Sequence, residues 1–167
     1  MEHTIKILNK TIEHCDFVAT CHYIEAEENK DKRIRYGVPS LVINIIVGSV
    51  LVADIGKIVP DVMKWIGAIL ALASSFLVGI QTFYGFDKVE RGHRQLGNKF
   101  NRTSRALACL KAAFADKSLD AQEFAKRFEL VMKDYEEVCK ENEDTPPSRD
   151  TALKLKKKLE GAERPET

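Results

Sequence analysis

The sequence predicts an all-α membrane protein: a two-transmembrane helical hairpin with long cytoplasmic helices that form an antiparallel bundle and stalk. Three observations predict it. Two apolar runs, Pro39 to Ile55 and Trp65 to Phe86, lie one short break apart, and the second holds no charged residue. Lys and Arg gather on both outer flanks of that pair and are balanced by acids between its members. Apolar side chains recur at alternating steps of three and four on either side of the pair, which is the spacing of helices packed along a seam.

The N-terminal segment carries such a seam at Ile5, Leu8, Ile12, Cys15, Ala19 and His22. A helix is expected from about His3 to Arg35, with Gly37 and Pro39 ending it and Pro39 restarting the chain, with a kink, as the first membrane helix. Met1 to Arg35 is polar and charged and holds no apolar core of a signal peptide, so the hairpin is expected to stay in the mature chain. The first apolar run ends in Asp54 and Lys57. It spans if those charges reach the far headgroups or the bilayer thins. The second, about 22 residues rising roughly 1.5 Å each, can cross a hydrocarbon layer of about 30 Å.

Beyond the second run the spacing continues through Phe86, Val89, His93, Leu96, Phe100, Thr103, Leu107, Leu110 and Phe114. One helix from Trp65 to about Ala115 is the simplest account, its lower half a stalk. Asp120 and Glu123 form a capping-box-like pair, the aspartate accepting from free amides and the glutamate reaching back. They open a helix with a seam at Ala121, Phe124, Phe128, Val131, Tyr135 and Val138 that ends near 140–143. Thr145-Pro146-Pro147-Ser148 is a break, Asp150 to Leu159 a short basic helix, and the last residues are disordered by composition. The organisation is therefore 1–37, an N-terminal cytoplasmic helix; 38–86, the hairpin; 87–143, the stalk and a C-terminal helix; and 144–167, a proline-containing linker and basic tail. Burial of seven or eight large side chains at about 1.5–3 kcal/mol each drives the cytoplasmic helices together, within one chain or between copies.

The chain has 167 residues and a net charge of +1, the size of one domain with a membrane insert. That near-zero charge hides a segregation between a nearly charge-free hairpin and charge-dense flanks. No basic excess points to nucleic acid. Cys15, Cys21, Cys109 and Cys139 lack C-x-x-C or metal-ligand spacing, which suits reduced thiols in a reducing cytoplasm. Lys30, Lys32, Arg33 and Arg35 precede the first span, and Lys88, Arg91, Arg94, Lys99, Arg102 and Arg105 follow the second, whereas Asp54, Lys57, Asp61 and Lys64 cancel between them. Both termini are therefore expected in the cytoplasm.

Gly67, Ala71, Ser75 and Gly79 recur four apart in the second span, a small-residue face of the kind along which helices pack in lipid, and Gly48 adds a packing position in the first. Ser40 and Asn44 lead up to Gly48, and Ser74, Gln81 and Thr82 add polar groups to the second span. An amide facing lipid is costly, so each should face protein or water. Two readings follow: an interhelical hydrogen bond that holds the hairpin, or a pore wall wetted after assembly. Two helices cannot enclose a channel, so a pore needs several copies. No catalytic motif, metal set or cofactor loop is present; Gly92 and Gly97 around His93 lie inside a helical seam and follow no strand. The chain reads as a non-enzyme without a cofactor. His93 reads either as a satisfied interior histidine or as a pH or ligand switch. Glu90, Arg91 and Arg94 are placed to pair across helices with Glu25, Glu27 or Glu28, which would set register more than stability.

Arg33-Ile34-Arg35-Tyr36 before the first span, Val47-Gly48-Ser49 within it, Trp65-Ile66-Gly67 opening the second, and Gln81-Thr82-Phe83-Tyr84-Gly85-Phe86 followed by His93 and Phe100 together resemble the SLATT family over roughly residues 20–115. These are small two-transmembrane effectors found beside nucleotide-second-messenger genes in bacterial antiviral operons. The resemblance implies a homo-oligomeric effector of the bacterial inner membrane that forms a pore or disrupts the bilayer on infection, in abortive-infection defence. It also implies control by a cyclic oligonucleotide or a nucleotidyltransferase-operon partner. Here no sensor domain is recognisable: either the stalk takes the signal through Arg91, His93, Arg94, Lys99, Arg102 or Arg105, or another protein controls the chain. The contrasting expectation is a non-pore membrane anchor whose cytoplasmic bundle binds a soluble partner.

Overall fold

The computed structural model describes residues 2–55 and 60–162, with side chains given except at 52–55 and 162. All of its regular structure is helical: α1 (Glu2–Ile55), α2 (Asp61–Tyr84), α3 (Phe86–Ala115), α4 (Ala121–Asp144) and α5 (Arg149–Ala162). Lys57 and the C-terminal residues expected to be disordered fall outside the described residues, as does the side chain of Asp54. The chain divides into two compact units. One comprises Met1–Glu27 with Arg91–Thr167, the other Glu28–Glu90.

In the first unit the seams expected from the spacing face the core, except at Ala121, which is exposed at the start of α4. Leu8 shares a cluster with Leu107, Leu110 and Phe124. Cys15, Val18 and Ala19 share another with Phe100 and Val138. His22 meets His93 and Asn142. Partners thus climb α1 in steps of seven as they descend α3, and they climb α4 in parallel with α1. The N-terminal part of α1 packs against α3 on one side and α4 on another. Its buried set therefore includes Thr11, Val18, Cys21 and Glu25 beside the seam, which is why its seam reads weakly. Gly97 stands where α3 comes nearest: a Cβ there would lie 3.0 Å from the Tyr23 ring and 3.3 Å from the Ala19 carbonyl oxygen.

Asp120 caps α4, its side chain accepting from the Glu123 amide at 2.8 Å. The glutamate does not reach back as expected. Its carboxylate instead accepts from Arg127 at 2.7 Å, one turn on. All four cysteines are free thiols.

The second unit departs from expectation twice. α1 runs without interruption through Pro39, where a break and restart were expected. A proline inside a helix removes one amide donor, so only the Arg35 carbonyl loses its helical partner. Contacts on both sides of that point hold the helix together: Arg33 with Asp87 at 3.0 Å, Tyr36 stacked on Phe86 at 5.8 Å, and Ser40 with Ser74. The single helix expected from Trp65 to Ala115 is instead two helices, beginning at Asp61 and joined through one residue. Gly85 adopts φ 55°, ψ 39°, a left-handed conformation that glycine reaches without strain. Its amide donates to the Gln81 carbonyl at 3.0 Å, and the Lys88 and Val89 amides return to its own carbonyl. Gly85 is thus hydrogen-bonded to both helices.

Two helical stretches are long and apolar enough to cross a membrane, one in α1 and one beginning at Asp61, and only 6% and 11% of their apolar windows are buried.

Candidate functional site

The polar residues of the hairpin do three different things. Ser74, 1% exposed, donates to the Asn44 side-chain oxygen at 2.7 Å and lies 3.3 Å from the Ser40 carbonyl oxygen. Gln81 donates through Nε2 to the Arg33 carbonyl oxygen at 3.0 Å, across the open side of Gly37. Ser74 with Asn44 and the Ser40 carbonyl forms one link between α1 and α2, and Gln81 forms a second, separate one. Thr82 and Ser75 point outward and donate to the carbonyls of Val78 and Ala71 in their own helix, and Ser49 does the same to Ile45, each at 2.9 Å. Asn44, though bonded to Ser74, stays exposed on its other side.

The small-residue face divides in the same way. Gly67 is buried, with Val50 3.7 Å from where a Cβ would stand. Ala71 is half-buried, while Ser75 and Gly79 are exposed. Gly48 and Gly79 have open space where a side chain would begin. Only the start of the stripe packs within the chain.

The outward surface of the hairpin is apolar. Leu41, Ile45 and Leu51 on α1, and Trp65, Ile69, Leu72 and Phe76 on α2, are each more than three-fifths exposed. Aromatic rings mark both ends of α2: Trp65 at one, and at the other Phe83 and Tyr84, with Tyr84 stacked on Phe86 and Phe86 on Tyr36. Trp65 and Tyr84 are about 28 Å apart along the helix. Below the second aromatic group, Arg33 pairs with both Asp87 at 3.0 Å and Glu90 at 3.3 Å.

Among the basic residues singled out in the sequence, Arg94 lies 4.0 Å from Glu27, a pairing anticipated from the spacing. Lys99 bonds Glu141 at 2.6 Å. Arg102 lines a groove with Lys99, Thr103, Asp134, Glu137 and Glu141, where acids outnumber bases. Arg91, Arg102 and Arg105 are exposed. Lys99 and Arg102 share that groove, and Arg91, Arg94 and Arg105 do not line it.

His93 does converge with something. It is 5% exposed, and its Nδ1 lies 2.9 Å from Nδ1 of His22, which is itself fully buried. His22 Nε2 lies 2.8 Å from the Asn142 side-chain oxygen, and its ring stacks on Phe100 at 5.9 Å. One turn along α1, buried Glu25 accepts from the Thr151 hydroxyl at 2.6 Å and from the Ser148 amide at 3.0 Å, tying the start of α5 to α1. Burial lowers the pKa of both histidines. For His22 the Asn142 bond works against that, and for His93 the Glu25 charge does. Burial alone would raise the Glu25 pKa, but the Thr151 and Ser148 bonds outweigh it and hold the carboxyl below its usual value. Asn142 and the Glu25 contacts went unread in the sequence. Asn142 continues the α4 seam four residues past Val138, and that was the available signal. No family model matches the chain, and no curated protein or solved structure does either.

Proposed function

We propose that this chain is an oligomeric two-transmembrane effector whose hairpin inserts in the bacterial inner membrane with both termini cytoplasmic, and whose assembly permeabilises that membrane. The reading keeps the resemblance to SLATT effectors of antiphage defence, including control by a nucleotide second messenger or a partner protein. The observation that carries it is the outward face of the hairpin. Large apolar side chains cover it, and the exposed hydroxyls of Ser49, Ser75 and Thr82 bond back to their own helix. Backbone and side-chain polar groups in lipid must be satisfied internally, and these are. Aromatic rings about 28 Å apart suit the two interfaces of a bilayer. The paired cytoplasmic helices then form an antiparallel bundle.

Assembly is supported by what the single chain leaves open. Asn44 is an exposed amide in an apolar stretch, and Ser75 and Gly79 form a close-packing face without an occupant. A second copy would cover both. The alternative, a non-pore anchor whose bundle binds a soluble partner, is favoured by Ser40, Ser74 and Gln81 being used inside the hairpin and not on an open wall.

Stoichiometry of the full chain in detergent, paired with dye leakage from vesicles of bacterial lipid, tests the proposal. The expected result is a multimer that leaks dye, and a Gly79→Leu variant that is monomeric and silent. Because nothing lies within 4 Å of a Cβ at Gly79, this variant should leave the single chain folded. Recovery of the wild type in the aqueous fraction would overturn the membrane reading. A multimer without leakage would favour the anchor.

A further inference from the structure

We propose that His22 and His93 form an acid-sensitive latch: the pair holds α1 to α3 and α4 while it carries at most one added proton, and lets them part when it takes a second. This goes beyond the membrane reading and does not depend on it.

The argument is a count of protons on four ring nitrogens. A bond between His22 Nδ1 and His93 Nδ1 at 2.9 Å needs one hydrogen between them. Asn142 presents its oxygen to His22 Nε2 at 2.8 Å, so that nitrogen carries a hydrogen. In the neutral pair, His22 Nδ1 is therefore bare and accepts from His93 Nδ1–H, leaving His93 Nε2 bare. A first added proton at His93 Nε2 changes none of these bonds, and the Glu25 carboxylate favours it there. A second has only His22 Nδ1 left. It would then face the His93 Nδ1–H at a distance that fits one hydrogen and not two. The doubly charged pair cannot keep the geometry.

Every element around the pair bears on this. From α1, Glu25 is, among the described residues, the one carboxylate acting on both rings, and Cys21 beside His22 is held as the neutral thiol by burial. From α4 comes the uncharged Asn142, and from α3 the Phe100 ring. From the start of α5 and the residue before it come the Thr151 and Ser148 groups, which engage Glu25. Arg94, next to His93, lies near Glu27. A single carboxylate offsets the first proton and leaves the second unopposed. Burial displaces both histidines toward the neutral form, which places the second step below the ordinary histidine range.

The test follows Cys21, buried beside the latch, against exposed Cys109 in the same molecule. The full chain in detergent is treated with 4,4′-dithiodipyridine from pH 7.5 to 5.0, and the two labelling rates are read by mass spectrometry. Both rates are read in one molecule with one reagent, so a pH effect on the reagent cancels in their ratio. The Cys21 to Cys109 ratio is expected to rise at least tenfold on acidification and to fall again on return to pH 7.5. The His3→Gln/His14→Gln double variant leaves this pair as the only histidines in the chain and should keep the response. His93→Gln, whose amide still donates to His22 Nδ1 but takes no proton, should flatten it. A wild-type ratio constant within twofold, a response lost in the double variant, or a full response kept in His93→Gln would each overturn the latch. Should His93→Gln label fast at every pH, the wild type and the double variant decide.

Discussion

Replacing Phe100 by alanine should remove a large part of the stability of the unit formed by α3, α4, α5 and the start of α1. Phe100 is fully buried. It packs with Cys15, Val18, Ala19 and Val138, stacks on His22 at 5.9 Å and meets His14 edge-on at 6.5 Å. Truncating a buried phenylalanine costs about 3–5 kcal/mol, including the cavity left behind. With its two ring contacts, this site is expected to lose about 4 kcal/mol. Against a total of about 5–15 kcal/mol for a domain, that is about a quarter or more. For a chain of this size, 1 kcal/mol moves the midpoint by about 2–4 °C, so the expected drop is about 8–16 °C. Far-UV circular dichroism melts of the full chain in one detergent at pH 7.5 measure it. Leu130→Ala, at a residue 56% exposed, is the control and should stay within about 0.5 kcal/mol. A Phe100→Ala shift no larger than that of Leu130→Ala would refute the placement of Phe100 at the centre of the α1–α3–α4 contact.

Three further outcomes are expected. Ser74→Ala removes the donor to Asn44 and should weaken the hairpin by about 0.6 kcal/mol and by less than about 2, as interhelical hydrogen bonds in membranes do; titration with sodium dodecyl sulfate reads this, and a larger loss would mean that Ser74 does more than link two helices. Burial pushes the Cys15 thiol up to about 12, with the nearby Cys139 adding to it, so maleimide at pH 8 should modify Cys15 at least about 100-fold more slowly than Cys109; comparable rates would contradict its burial. Stability should also fall with acid in two stages. The histidines have folded pKa values below their unfolded ones, so their contribution is complete above about 6.5 and is lost as pH falls below it. Glu25 is likewise lowered, and its contribution is present above about 4.5 and lost as pH falls further. In Glu25→Gln, melts between pH 7.5 and 3 should lack the second stage, and an unchanged second stage would remove Glu25 as its source.

The helices were legible where one face meets one neighbour. The stalk seam from His93 to Leu110 lies buried as its spacing required. The start of α1 was harder to read because it serves two neighbours, so its apolar and small residues spread around the cylinder. Pro39 and Gly85 were misread for opposite reasons. A proline's lost donor is a local cost that contacts such as Arg33 with Asp87 can offset. A glycine inside a periodic pattern gives no sign of its sign of φ until the chain is folded. Among the site residues, Ser74 and Asn44 were read as polar groups needing partners, but which partner each would find depends on helix register. The meeting of His22 and His93 required the antiparallel alignment. The tie from Glu25 to α5 joins residues more than 120 positions apart, which no local pattern encodes.

Gly85 also sets which substitutions its position should tolerate. Nothing stands within 4 Å of where a Cβ would be, so the restriction there is one of handedness and not of room. Acceptance at residue 85 should therefore follow ease of entry into the left-handed region, with asparagine better accepted than alanine, and valine or isoleucine the worst, whatever their volume. A mirror-image alanine, introduced by chemical ligation, would be at home where the natural one is not.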